Sequence, residues 1–404
     1  MAYQPNPRIA LADSMSVDAF GNLRTSQPAS LITAKAVGWD DTQALVGKVT
    51  GVGASRAHSV TTSSYTLTVG TVSGAKVTHR TRARAPYQPG KSQLVEATGV
   101  LPAPKANVRA RVGYFDAYDG LFFSTTDTSH QIVRRSSTSG SPVDTACLRA
   151  DWDDKLDGTG PSGITFDFTK GAIPVFDLQW LGYGRVRVGA SIDGQLIPIC
   201  SFEHAGILSL PYMANPNLPL CWEIENVGVS ASATSLLATC GQVSSEGGYD
   251  PPGYHEPVGI GQATRSVASG TVNATELLAV RLAKPRYHSL LLDAAQTYVG
   301  TTANYEWRVV LNPTGLTAGA WAVPTFGTGL VEGNFTRTGT PSGGTILDGG
   351  YVSSQQNTGA DPFRSVQRFG ADADDTADVL SLQVMHYEAS PESFRGTLVV
   401  RTLT

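Results

Sequence analysis

Charge is scarce in this chain. Asp, Glu, Lys and Arg make up 16% of its 404 residues, against about 25% in average globular domains. The two signs nearly cancel, leaving a formal net charge of -4. A disordered polyelectrolyte is excluded, since such chains pair low hydrophobicity with high net charge, and here 41% of residues are hydrophobic. Recognition of nucleic acid through bulk charge needs a clear basic excess, which is missing. No stretch approaches 18 consecutive apolar residues, so no membrane-spanning helix is expected. The opening residues Met1 to Arg8 lack a cationic segment followed by an apolar run, so no secretory signal is expected either. Heptads rich in Ala, Glu, Lys and Leu are also missing, which argues against coiled coils and long helical bundles.

Cysteine is sparse and dispersed. Cys147, Cys200, Cys221 and Cys240 form no CxxC pair and no zinc-ligand spacing. They read as small buried hydrophobes kept reduced, with folding in a reducing cytoplasm; a disulfide or a metal site is the alternative.

Glycine and proline are present instead: 43 and 23 residues, together about one residue in six, where average usage is about one in eight. They punctuate short runs rich in Thr, Val, Ser and aromatics, the pattern of an all-β sandwich. Val108, Ala110, Val112 and Tyr114 fall two apart, with Arg109 and Arg111 on the opposite face. Phe176, Leu178 and Trp180 do the same, as do Val186, Val188 and Ala190. Asp193-Gly194 between two apolar runs predicts a hairpin turn. No segment combines a 3.6-residue period with helix caps; Thr275–Leu282 fits either a short helix or a strand.

The chain divides accordingly. Residues 1–42 read as an extended N-terminal arm and 43–246 as a central jelly-roll-like β-sandwich. Residues 247–257, with Gly247-Gly248-Tyr249-Asp250-Pro251-Pro252-Gly253, read as a linker, and 258–404 as a second, C-terminal β-sandwich domain.

Motifs for chemistry are thin. Gly158-Thr159-Gly160-Pro161-Ser162-Gly163 matches GxGxxG, but strand-like residues follow where a dinucleotide site needs a helix N-terminus. The acidic run Asp151 to Gly158 offers Asp151, Asp153 and Asp157 as candidate calcium ligands, although Lys155 interrupts the alternation of oxygen ligands. An Asx-rich turn is the plainer reading. The seven histidines are scattered, and neither a GxSxG elbow nor a GxxxxGK[ST] loop occurs. Asp116, Asp119, Glu203, Glu223 and Glu225 are conceivable glycosidase carboxylates, with none singled out. His79 to Arg84 places Arg80, Arg82 and Arg84 on one strand face, either solvated or an electrostatic dock for an acidic partner. No cofactor is expected.

Several runs carry a family resemblance. They are Arg111-Val112-Gly113-Tyr114-Phe115-Asp116, Asp119-Gly120-Leu121-Phe122-Phe123 and Trp152 to Gly160; then Asp177 to Gly189 with Ile192-Asp193-Gly194, Tyr212 to Pro219 and Trp222 to Asn226. With Asp18-Ala19-Phe20-Gly21-Asn22-Leu23-Arg24-Thr25-Ser26, they resemble a group of tailed-bacteriophage virion proteins. The resemblance spans residues 14–30 and 108–227, about a third of the chain. It implies a structural virion component with a lectin- or glucanase-like sandwich, assembled in the host cytoplasm. Its implied partners are other capsid, neck or tail proteins and copies of itself, with neither nucleic acid nor membrane. It supplies no catalytic residues to carry over.

On that reading the arm anchors through Phe20, Leu23 and Arg24, with Arg80, Arg82 and Arg84 as a secondary docking stripe, and the chain is not an enzyme. The alternative is a carbohydrate-binding attachment module taking a surface glycan on exposed aromatics, for which Trp152, Tyr183, Trp307 and Trp321 are candidates.

Overall fold

A computed structural model of the chain describes residues 28–250, 253–259, 264–268, 273–300, 303–325, 327–353, 361–362 and 368–403. Apart from one 3₁₀ turn at Arg149–Asp151, the regular elements are strands, so the fold is all β. The described residues form two compact units: 28–81 with 87–250, and 82–86 with those from 253 onward.

The first unit stacks two antiparallel sheets. One runs, in spatial order, Val143–Leu148, His130–Ser136, Gly120–Thr125, Val108–Phe115, Leu220–Asn226, Lys76–Thr81 and Leu45–Thr50. The other runs Gln195–Phe202, Val186–Ile192, Pro174–Leu178, Gln93–Val100, Thr234–Ser245, Ser64–Val69 and Ser55–Ser59. Ala29–Lys35 and Gly171–Ala172 add to it on Thr234–Ser245 and Gln93–Val100. Alternation decides which side chains enter the core. Val108, Ala110, Val112 and Tyr114 are at most 1% exposed on one face of their strand. Trp222 links the layers: its ring is buried and its indole N–H donates to Thr98 O of the facing sheet at 3.0 Å. Gly241 makes room for that ring, since a Cβ there would lie 3.2 Å from it. The Asp193-Gly194 hairpin forms as the sequence indicates, with φ of 49° and 79°, the doubly left-handed pair of a tight two-residue turn.

The second unit is also a sandwich. Its six-stranded sheet is built on Tyr254–Val258, Glu392–Leu403 and Ser289–Val299; its five-stranded sheet runs Val331–Asn334, Thr275–Leu282, Leu380–His386, Tyr305–Leu311 and Thr345–Val352. Val280, Trp307, Val309, Leu382, Phe394 and Val400 belong to the core between them. Thr275–Leu282 is a strand, not a helix. A bulge between Glu276 and Leu278 turns two successive leucines inward and imitates a helical spacing.

Two segments depart from the sequence reading. Residues 29–35, expected within an extended arm, are a sheet strand that buries Leu31, Ile32 and Ala34; a bulge between Ser30 and Ile32 breaks the alternation that would have announced it. Residues 82–86 fall inside the expected central body by sequence yet belong to the second unit.

Candidate functional site

The seven-stranded sheet has a second face, turned away from Trp222. Leu220, Trp222 and Ile224 point to the core, so Cys221, Glu223 and Glu225 point the other way. Register sets Glu223 between Thr78 and Arg111, and Glu225 between Lys76 and Arg109. The result is a four-charge cluster. Arg111 Nη1 lies 2.6 Å from Glu223 Oε1 and 2.8 Å from Glu225 Oε1, and Lys76 Nζ lies 2.8 Å and 3.5 Å from their second oxygens. Thr78 Oγ1 donates to Glu223 Oε2 at 3.0 Å. Burial raises the Glu223 pKa, but Lys76 and Arg111 outweigh it and hold the carboxyl below its usual range. Beside the cluster, Phe115, Phe122, Val133 and Cys221 form a small apolar group, each at most 2% exposed.

This arrangement constrains acid–base chemistry. A glycosidase needs one carboxyl kept protonated while its partner stays ionised. Glu223 is instead committed to its anionic form by two cations and a hydroxyl. Of the remaining conceivable carboxylates, Asp116 and Asp119 bond to loop amides and a hydroxyl: Asp116 accepts from the amides of Tyr118 and Asp119, and Asp119 accepts from Ser137 and from the Ala214 amide. Glu203 follows the end of Gln195–Phe202 and is exposed, with Arg185 3.9 Å away.

The aromatic candidates do not come together. Trp152 and Trp307 are 4% and 5% exposed and offer no face to a sugar. Trp152 packs edge-on against Phe123 and Phe168, and Trp307 lies in the core of the second unit. Trp321 carries the Arg281 guanidinium 4.1 Å from its ring centre. Tyr183 stays open, 39% exposed.

The arginine stripe is not a stripe. The strand ends at Thr81, and Arg80, Arg82 and Arg84 are 5%, 7% and 7% exposed. Arg80 belongs to the first unit, while Arg82 and Arg84 belong to the second, where Arg82 pairs with Asp378 and Asp372. Period-2 spacing placed them on one face, but the chain leaves the sheet midway, and burial requires partners for each charge.

The acidic loop closes on itself. Asp154 accepts from the amides of Leu156 and Ser162, and Asp157 Oδ1 from the Thr159 amide and hydroxyl. Asp151 ends the 3₁₀ turn, and the Asp153 amide donates to Ile199 O. Among the described residues no three His, Cys, Asp or Glu side chains stand close enough to hold a metal ion. Phe20, Leu23 and Arg24 lie outside the described residues. No helix among those described is long and apolar enough to cross a membrane.

Sequence reasoning missed one surface. Leu181, Tyr183, Ile207 and Leu210 are 47%, 39%, 69% and 52% exposed on two loops. The loops are tied by Tyr212 N to Gly182 O at 2.9 Å and by His204 Nδ1 against Gly184 O at 2.5 Å. Loop residues have no period, so nothing in the sequence gathers these four.

No family model matches the chain, and neither does any curated protein. Solved structures give likeness of fold alone. A legume lectin-like domain from Entamoeba histolytica is 10% identical, with 49% of this chain and 89% of that one covered and a TM-score of 0.29. Arcelin-5, a lectin-like defence protein from Phaseolus vulgaris, is 9% identical, with coverage of 55% and 99% and a TM-score of 0.32. A Bacillus licheniformis β-glucanase is 10% identical, with coverage of 55% and 98% and a TM-score of 0.32.

Proposed function

We propose that this chain is a non-enzymatic structural subunit of a tailed-phage particle, on the capsid exterior, neck or tail, held there by protein–protein contact. The observation that carries this reading is the exposed apolar group Leu181, Tyr183, Ile207 and Leu210 on hydrogen-bonded loops. Exposed apolar side chains carried on joined loops are the kind of surface that stable assemblies cover. The sequence resemblance over residues 108–227 supplies the kind of particle. The locked carboxylates Glu223 and Glu225 fit a sheet face used for structure rather than bond cleavage. The test is incorporation. Ile207→Glu with Leu210→Glu should leave the circular dichroism and Tm of the purified chain unchanged while abolishing co-sedimentation with phage particles. Normal incorporation of this variant would sink the proposal. Removing residues 1–27, which spares the strand Ala29–Lys35, tests the anchoring role of Phe20, Leu23 and Arg24 by the same readout.

A second reading, glycan attachment, is favoured by a different surface. Tyr351 and Tyr387, 80% and 48% exposed, flank Glu306: Tyr387 donates to Glu306 Oε2 at 3.0 Å, and Tyr351 stands opposite Glu306 in register. Aromatic faces beside a carboxylate suit a sugar's C–H face and hydroxyls. Glycan-array binding lost in Tyr351→Ala would support it; an array blank for the intact chain would remove it.

A further inference from the structure

Two of the four cysteines meet at the open edge of the first sandwich. Cys147 lies on Val143–Leu148, the edge strand of the seven-stranded sheet, and Cys200 on Gln195–Phe202, the edge strand of the facing sheet. Both side chains point into the gap between the layers. Cys147 is in register with Ile132 and Cys200 with Val188, two core residues at 0% exposure. The connection after Cys147 folds back onto the Cys200 strand: Trp152 Nε1 donates to Cys147 O at 3.2 Å, and Asp153 N donates to Ile199 O at 2.8 Å. The two side chains are close enough for each to shift the other's titration, the Cys200 thiol donates to Ser201 O at 3.7 Å, and both cysteines are free.

We propose that Cys147 and Cys200 are a reversible disulfide site that staples the two sheet edges when the protein meets a small-molecule disulfide oxidant such as oxidised glutathione. This inference is independent of the function proposed above. The roles are asymmetric. Cys147 is partly exposed, and the neighbouring Cys200 thiol lowers its pKa, against burial and the charges of Asp151 and Asp153; it is the attacking sulfur. Cys200 is buried and its thiol is pushed up, first by the neighbouring Cys147 and then by burial, so it is the resolving group.

The exchange balances without further reagents. The Cys147 thiolate attacks one sulfur of oxidised glutathione, forming a mixed disulfide and releasing one glutathione thiolate, which takes up the Cys147 proton. The Cys200 sulfur then attacks Cys147 Sγ, forming the protein disulfide and breaking the mixed one; the second glutathione leaves with the Cys200 proton. Two protein thiols are oxidised, and one glutathione disulfide is reduced to two thiols. The bridge closes a loop of about fifty residues, long enough to raise Tm by roughly 10 °C in a domain of this size.

The experiment treats the purified full chain with oxidised glutathione, then alkylates and digests it without reductant. The expected results are one peptide pair joined through Cys147 and Cys200, the loss of two of the four thiols, and a Tm rise that dithiothreitol reverses. Cys200→Ser should trap glutathione on Cys147, whereas Cys147→Ser should carry no adduct at Cys200. Reduced wild-type and variant Tm values, compared first, identify a variant that fails to fold, and Cys200→Ala then replaces it. A stable glutathione adduct on Cys147 in the folded wild type, or no modification at either cysteine, overturns the proposal.

Discussion

Buried ionisable side chains are where single residues have the largest leverage. His79 is 1% exposed, packed 4.2 Å from the Tyr65 ring, with its Nδ1 accepting from Arg56 Nε at 3.1 Å. Burial and the Arg56 charge lower its pKa to about 3. Its folded value lies below its unfolded value near 6.5, so the neutral ring's contribution is complete above pH 6.5 and is lost as pH falls toward 3. Denaturant unfolding at pH 7 and pH 5 should show a loss of about 2 kcal/mol from this group, and His79→Gln should reduce that pH dependence. The Arg111 site acts through charge pairing. Arg111→Ala leaves Glu223 and Glu225 facing Lys76 alone, with Glu223 almost fully buried. Removing one partner of a buried pair costs about 3–5 kcal/mol. An unchanged urea midpoint for this variant would contradict the network as drawn.

At the scale of elements, the chain was readable wherever one face is buried and the other is not. Val108 to Val112 alternates between buried and half-buried, and Val108–Phe115 forms the strand expected of it. The Asp193-Gly194 hairpin was legible because few residue pairs adopt two left-handed conformations in succession. Gly194 has φ of 79° and open space around a notional Cβ, so Gly194→Ala meets backbone strain without a clash. It should lower stability by roughly 1–2 kcal/mol in thermal or urea unfolding. What was illegible has physical causes. Bulges at Ser30/Ile32 and Glu276/Leu278 add a residue and invert the alternation, hiding one strand and giving another a helical look. Arg80, Arg82 and Arg84 share a sequence parity, but the side chains that neutralise Arg82 arrive from about 290 residues away, beyond any local pattern. Trp152 and Trp307 show the same limit: composition says that a tryptophan exists, and only packing decides whether its face is open.

For the whole molecule, each unit holds a buried acid–base group, and His79 and Glu276 respond to pH in opposite senses. Glu276 in the second unit is 1% exposed. Its Oε2 accepts from Ser381 Oγ at 2.5 Å and Arg337 Nη1 at 3.1 Å, while Oε1 is buried without a hydrogen-bond partner. Burial raises its pKa despite those partners. A raised folded value means that its contribution is complete below the unfolded carboxylate range and is lost as pH climbs through the folded value. Mild acid therefore removes the contribution of His79 in the first unit and favours that of Glu276 in the second, where the lowered pKa of His288 opposes it. Opening free energies from hydrogen exchange, corrected for the pH dependence of the intrinsic rate and read separately over residues 64–81 and 275–282, should move in opposite directions between pH 7 and pH 5. Glu276→Gln should flatten the response of the second segment.

The excursion of residues 82–86 into the second unit has a practical corollary for anyone dissecting the protein. Its backbone is fastened there by Arg84 N to Ser289 Oγ at 2.9 Å and by Ser289 Oγ to Arg84 O at 3.2 Å, and its Arg82 neutralises the buried Asp378. A single cut near residue 250 therefore cannot yield two finished halves. The downstream fragment would inherit an acid shorn of its counter-ion and a serine with no backbone to hold, so genetic fusions and truncations should keep this threaded loop with the body it completes.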